Sequence, residues 1–383
     1  MAPPERGHYV AVPRRHLVWT AIRPALRIAQ IWSLLFINLT SPTTKLLTWH
    51  AAYAVLMTVF IMVMGVGFVA EFLQNPPSKR QGDSFRFLVA VPAFFGFMAM
   101  VLLWVRVAGR WTRLWALVDE LEDRLWGRGV HRLPRLCRRA RNSAYAFVLV
   151  NIVQQTHVLI RRLPASSLYE WSLLICTLCF GGVFNFSTLL LIVLSHALAE
   201  CFRAFTAMLE SAARQCDGQI PTEAVEDFRV LYNKMCGLTL ALDHCVNPVI
   251  LVAIFTDGVY ICRFVLLSLA VSAQDWHSST LMTISFLRFV WTILAASSVH
   301  SEWQSTKLCL HRMVSCRGGK EATRFFMQIV TDRISLTALE MVPITKHLLP
   351  TVLGAILSYE IILVQFQLQK LKRVFSSQKS TLT

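Results

Sequence analysis

Apolar residues in this chain come in long runs, and about twenty of them in a row can cross the roughly 30 Å hydrocarbon core of a bilayer as one helix. Seven such stretches can be marked, at residues 46–73, 85–107, 142–163, 171–199, 246–273, 279–300 and 348–369. A soluble domain carries about 25% charged residues, whereas here 16% are charged and 55% hydrophobic. A single soluble core also rarely grows past roughly 250–300 residues, and this chain has 383. The expectation is therefore an all-α membrane protein with seven transmembrane helices and no second domain. Residues 1–15 are polar and lack an apolar core with a small-residue cleavage site, so insertion is expected to rely on the first span.

Basic residues set the orientation. Most of the 38 Lys and Arg fall in residues 1–45 and in the second–third, fourth–fifth and sixth–seventh connections. The positive-inside rule then puts the amino terminus in the cytoplasm and the carboxyl terminus outside. Lys370, Lys372, Arg373 and Lys379 in the tail run against that assignment. The net charge of +16 is read as this loop bias, not as nucleic-acid binding, because no recognition module accompanies it. G-protein-coupled receptors have the opposite orientation, and their acidic-Arg-Tyr and Asn-Pro-x-x-Tyr motifs are not found. Asn247-Pro248 lies in the fifth span without the tyrosine. All ten cysteines fall in spans or on the expected cytoplasmic side, where reduced thiols are the rule.

Between the spans the pattern is amphipathic. Residues 17–40, rich in Trp and Leu with Arg23 and Arg27, suit a helix lying in the membrane interface. Residues 106–141 alternate apolar and charged residues at helical spacing, extending the second span inward. The same holds for 200–235, with Phe202, Phe205, Met208 and Leu209 on one face before a break at Asp217-Gly218. Glu223, Glu226 and Asp227 then match the dipole of a new helix start. A further amphipathic helix is expected over 320–340, broken near Pro343 and Pro350.

The last span ends in Ser358-Tyr359-Glu360-Ile361-Ile362-Leu363-Val364-Gln365-Phe366. A hydroxyl residue, Tyr, five mostly apolar residues and Gln-Phe resemble the signature that closes the final helix of arthropod gustatory receptors. The resemblance extends over residues 324–367, through Phe325-Phe326, Leu336-Thr337-Ala338-Leu339, Leu348-Leu349 and Leu353-Gly354-Ala355. Ser358 stands where threonine is usual, and Glu360 takes the first hydrophobic slot, a pairing similar to that of the sugar-tuned branch. The resemblance implies a tetrameric, ligand-gated, poorly selective cation channel in the plasma membrane of a sensory neuron. Its organisation would be a cytoplasmic leader (1–45), six spans with the ligand pocket in their outer half (46–300), cytoplasmic anchor helices (301–347), a pore helix (348–369) and a tail (370–383). Its partners would be lipid, a small-molecule tastant (sugar or bitter), sister subunits of the same or another receptor, and permeant monovalent and divalent cations. Alternatives are a poreless receptor of inverted topology, a subunit needing a co-receptor, and a transporter. A transporter should show internal repeats or broken helix pairs, and neither is visible.

Two sets of residues are candidates for function. In the seventh span Ser358 or Tyr359, Ile362 and Phe366 share a helical face. By resemblance Ile362 and Phe366 fall at the family's gate, where rings of apolar side chains block ions by dewetting, with Gln365 beside them. Ionisable groups inside spans default to a functional hypothesis. Asp257 and Arg263 flank Tyr260 in the fifth span, Arg288 lies in the sixth, and Gln154, Gln155 and His157 mark the outer half of the third. With Trp171 they would suit a polar, sugar-like ligand. The competing reading is structural, with Asp257 paired to Arg288 or Arg263 and the amides bonded between helices. Cys176-x-x-Cys179 reads as small thiols packing in a span. Cys309-x-His311 with Cys316 lacks a fourth metal ligand. No nucleophile, acid pair or phosphate loop is placed for catalysis, so no enzyme, cofactor or metal is expected.

Overall fold

The computed structural model describes residues 81–126, 134–162, 168–215, 221–270, 276–317 and 320–381, with isolated helical positions Leu56, Val59, Met62, Val63 and Val66. The leader helix expected over 17–40 and nearly all of the first span lie outside the described residues. The described chain runs α1 (Gln81–Trp126), α2 (Pro134–Arg162), α3 (Leu168–Gln215), α4 (Thr222–Ala270), α5 (Trp276–Arg317) and α6 (Lys320–Thr331). A two-stranded hairpin follows, β1 (Thr337–Ala338) and β2 (Val342–Pro343), and then α7 (Leu348–Thr381).

Among the described residues, four helices contain stretches long and apolar enough to cross a membrane: Arg138–Ile160, Thr177–Gln215, Thr222–Cys262 and Met282–Met313. These contain or overlap the third to sixth expected spans. α7 holds a shorter apolar stretch, Leu348–Ile362. At 1.5 Å per residue, the 49 residues of α4 reach about 74 Å, more than twice the bilayer's hydrocarbon thickness. The helices therefore continue well beyond any membrane, as the amphipathic flanks of the spans require.

Those flanks have partners. Phe202 and Phe205 are fully buried and Leu209 nearly so. Phe205 meets Phe228 and Tyr232 of α4, and Tyr232 meets Phe325 of α6 at 5.6 Å between ring centroids. One aromatic cluster thus ties α3, α4 and α6 together at the hairpin end of the bundle. Around it Glu200 accepts from Arg139 of α2 at 2.6 Å and from Arg203, which also reaches Glu302 of α5. Further along, α3 packs against α5, and α1 against α4, with Trp104 Nε1 donating to Ser187 Oγ at 2.7 Å.

The helix expected over 320–340 ends at Thr331. Beyond it Ile334, Leu336 and Ala338 are still buried, but as an extended strap and hairpin. Asp243 of α4 competes successfully for the backbone, accepting from Thr337 N at 2.6 Å and from Thr337 Oγ1 at 2.7 Å. The turn places Leu339 (φ 52°) and Glu340 (φ 59°) in the left-handed region, which costs a non-glycine residue about 1–2 kcal/mol. Glu340 offsets this by accepting from Asn247, sharing a 2.8 Å bond with His244, and donating its own N–H to Thr337 Oγ1. The strap is also held by His300 of α5 against Ile334 O.

Candidate functional site

Away from the hairpin, nearer the Ala270 end of α4, a polar network crosses the apolar bundle. Arg288 of α5 donates through Nε to both oxygens of Asp257 of α4, at 2.9 and 3.2 Å, and through Nη2 to the same carboxylate. Its Nη1 donates to Asn185 Oδ1 of α3 at 2.7 Å. Asn185 Nδ2 continues the chain to Asn151 Oδ1 (2.9 Å) and Gln154 Oε1 (2.8 Å) of α2. Gln155 donates to Leu178 O at 2.8 Å. Asp257 is 2% exposed, Arg288 6% and Asn185 0%, so the pair and its amide relay are shielded from bulk water.

Small and aromatic residues let four helices converge there. A Cβ on Gly181 would lie 3.0 Å from Gln155 Nε2, and one on Gly96 would lie 2.9 Å from Thr256 Oγ1. Glycine at these positions therefore admits the amide and the hydroxyl. Thr256 Oγ1 is buried without a hydrogen-bond partner among the described residues. Phe147 and Trp291 meet on the α2–α5 side with ring centroids 5.1 Å apart and planes tilted by 48°. The network is charge-balanced and satisfies its amides and its guanidinium internally, so removing any one member would leave a buried partner unpaired.

Of the residues singled out from sequence, the structure joins Gln154, Asp257 and Arg288 into this one network, and Gln155 through a 3.4 Å bond from its Nε2 to Asn151 Oδ1. His157 and Tyr260 are half-buried and Trp171 is 47% exposed, and none of the three belongs to the described hydrogen-bond chain. Arg263's side chain lies outside the described residues, and Asp257 takes Arg288 as its partner. Asn151 and Asn185, the links of the relay, were missed. Their signal was present, since an asparagine inside an apolar span needs a partner as a glutamine does.

In α7 the face carrying Leu348, Leu349, Val352, Leu353 and Ile356 packs on the core, and Glu360 continues it at 5% exposure. The adjoining exposed side carries Ala355, Ser358, Tyr359, Ile362 and Gln365. Ser358 Oγ bonds back to Gly354 O at 2.9 Å. The side chain of Phe366 lies outside the described residues. Among the described residues no group of His, Cys, Asp and Glu is arranged to hold a metal, and the described cysteines, 179, 201, 236, 245, 262 and 309, are free thiols.

Residues 135–374 match the family model for the trehalose receptor, which spans all of the network and the α7 face. The chain belongs to this trehalose-receptor family. It is similar to two proteins of Drosophila melanogaster, the gustatory receptor for sugar taste 64f and the gustatory receptor 5a for trehalose. It is 26% identical to the first over 188 residues, covering 48% of this chain and 39% of that one. To the second it is 26% identical over 199 residues, covering 50% and 43%. These alignments therefore span less than half the length of the curated relatives. The fold is that of the insect olfactory receptor OR5 from Machilis hrabei. The superposition has a TM-score of 0.71 at 11% identity, covering 90% of this chain and 97% of that one. The same receptor in complex with eugenol gives 0.72 at 12% identity. Family and fold agree with the gustatory-receptor resemblance of the carboxyl-terminal motif. They make the chain a multi-pass membrane protein of the trehalose-receptor family, with the fold of that olfactory receptor.

Proposed function

We propose that this chain is a sugar-tuned gustatory receptor acting as a ligand-gated, non-selective cation channel. The observation that carries the sugar reading is the Arg288–Asp257–Asn185–Gln154 relay. A saccharide's hydroxyls can pair with each of its amides and charges, while Phe147 and Trp291 offer rings to the sugar's C–H faces. The trehalose-receptor family model and the sugar-taste names of the relatives point the same way. With the amino terminus in the cytoplasm, the network lies in the outer half of the bundle, where a tastant would arrive from outside.

The pore reading rests on α7. Four copies arranged about an axis would turn Ser358, Tyr359, Ile362 and Gln365 inward, with Phe366 one turn beyond Ile362, and a ring of Ile362 side chains would close the path by excluding water. The exposed turn residues Leu339 and Met341 and the neighbouring Val342 favour burial against sister subunits in such a tetramer. Monovalent and divalent cations would pass when the helices part.

The test is whole-cell recording from cells expressing the chain, alone and with a second receptor of the family, during application of trehalose, sucrose, glucose and a bitter panel. Sugar-evoked cation current within milliseconds is expected. Ile362→Asp should raise basal leak, because a charged ring hydrates the constriction, and Phe366→Ala should widen it. Slow current abolished by G-protein block, or Ile362→Asp identical to the parent, would refute the channel.

A further inference from the structure

α1 carries Arg106, Arg110 and Arg113, spaced four and three residues apart and so on one face over two turns. They stand where the apolar stretch of that helix ends. Arg106 and Arg113 are exposed and Arg110 is half-buried. Arg110 Nη1 is fully buried and has no hydrogen-bond partner among the described residues. What Arg106 and Arg110 approach across the α1–α4 contact is the thiol of Cys245, which offers no negative charge to a guanidinium.

Among the described residues no carboxylate makes an ion pair or hydrogen bond with Arg106, Arg110 or Arg113, and the nearby Glu340 of the hairpin is engaged by His244 and Asn247. α1 has no carboxylate between Asp83 and Asp119, and residues 1–80 contain two, Glu5 and Glu71. On α4 the neighbouring acid, Asp243, has both oxygens occupied by Thr337. A partly desolvated guanidinium that bonds only a thiol and leaves Nη1 without an acceptor is costly, and ordinary basic residues at membrane ends avoid that cost by facing water. Toward the apolar stretch the same side of α1 presents Leu102 and Val105, 56% and 43% exposed, as a surface for hydrocarbon.

We propose that this face of α1 is a binding site for an anionic phospholipid. The headgroup phosphate is held by Arg106 and Arg110, with Arg113 adding charge, and an acyl chain lies along Leu102 and Val105. The guanidinium fork suits phosphate oxygens in a way that a thiol or a carbonyl does not. The exposed apolar residues beside it select a lipid over a free anion. The site is separate from the sugar network and does not depend on the channel reading.

Native mass spectrometry of the full-length protein tests it, with phosphatidylinositol 4,5-bisphosphate and phosphatidylcholine offered in the same detergent. The anionic lipid should remain bound at collision energies that strip phosphatidylcholine. Arg106→Gln, at an exposed position, should weaken it by about fivefold, the effect of one basic residue at a membrane surface. Arg106→Gln with Arg110→Gln should weaken it by about 25-fold on the same basis. Arg324→Gln on α6, whose side chain is 72% exposed, should leave binding unchanged. An equal loss in the Arg324 variant would reduce the effect to general charge and overturn the site. So would equal retention of phosphatidylcholine, or binding of soluble inositol 1,4,5-trisphosphate as tight as that of the lipid. If the double variant fails to fold, Arg106→Gln alone still decides.

Discussion

Asp257 and Arg288 should behave energetically as one unit. The contact is short, Nε to Oδ1 at 2.9 Å, and the side chains are 2% and 6% exposed. At an effective dielectric near 20, two charges at that distance attract by about 6 kcal/mol. Stripping water from both ions opposes this, so the pair's net contribution is small, whereas removing one partner strands the other and costs about 3–5 kcal/mol. Asp257→Leu alone and Arg288→Met alone should each lose that much, a large share of the roughly 5–15 kcal/mol that holds a folded protein together. Asp257→Leu with Arg288→Met removes both charges and should recover most of the loss, leaving Asn185 as the disturbed neighbour. The assay is the fraction of purified protein remaining monodisperse after heating, compared at one scan rate because unfolding of such proteins is irreversible. Additive midpoint shifts in the double variant, or an Asp257→Leu midpoint equal to the parent's, would refute the pairing argument. The rescued double variant should still fail to respond to sugar, since the network's charges would be gone.

Gly181→Val should push α2 from α3, because its Cβ already meets Gln155 Nε2 at 3.0 Å. A destabilisation of about 1–3 kcal/mol is expected, seen as a lower midpoint in the same heating assay, with a weakened sugar response. Leu339→Gly should leave stability unchanged or raise it by up to about 1 kcal/mol by removing the left-handed penalty, while Leu339→Val should lower it; unfolding of the purified variants checks both. Glu340's hydrogen bond with His244 holds its carboxyl below the ordinary range. Its contribution is therefore present above the usual glutamate value of about 4.3 and is lost as pH falls through the lower folded value. Hydrogen exchange of residues 332–347 should accelerate in that acid window in the parent and show no such step in Glu340→Gln.

The described helices were legible in the sequence because each carries its own periodicity. Apolar runs mark the spans, and the Phe202–Leu209 stripe announces a buried extension. α3 ends at Gln215 and α4 begins at Thr222, while the expected break at Asp217-Gly218 itself lies outside the described residues. The carboxyl-terminal motif identified the family, since its residue types and spacing lie within one helix. Sequence alone could not choose between Arg263 and Arg288 as the partner of Asp257, nor see that Asn185 bridges Arg288 to Gln154 and Asn151. Those contacts join residues 31 to 103 positions apart, and nothing local encodes such a distance. The strap after Thr331 escaped for the same reason. Its apolar spacing continues as a helix would, but Asp243, from another helix, takes the backbone N–H of Thr337 and turns the chain into a hairpin. Periodicity determined which faces are apolar, and only the packing of the helices decided which buried polar groups meet.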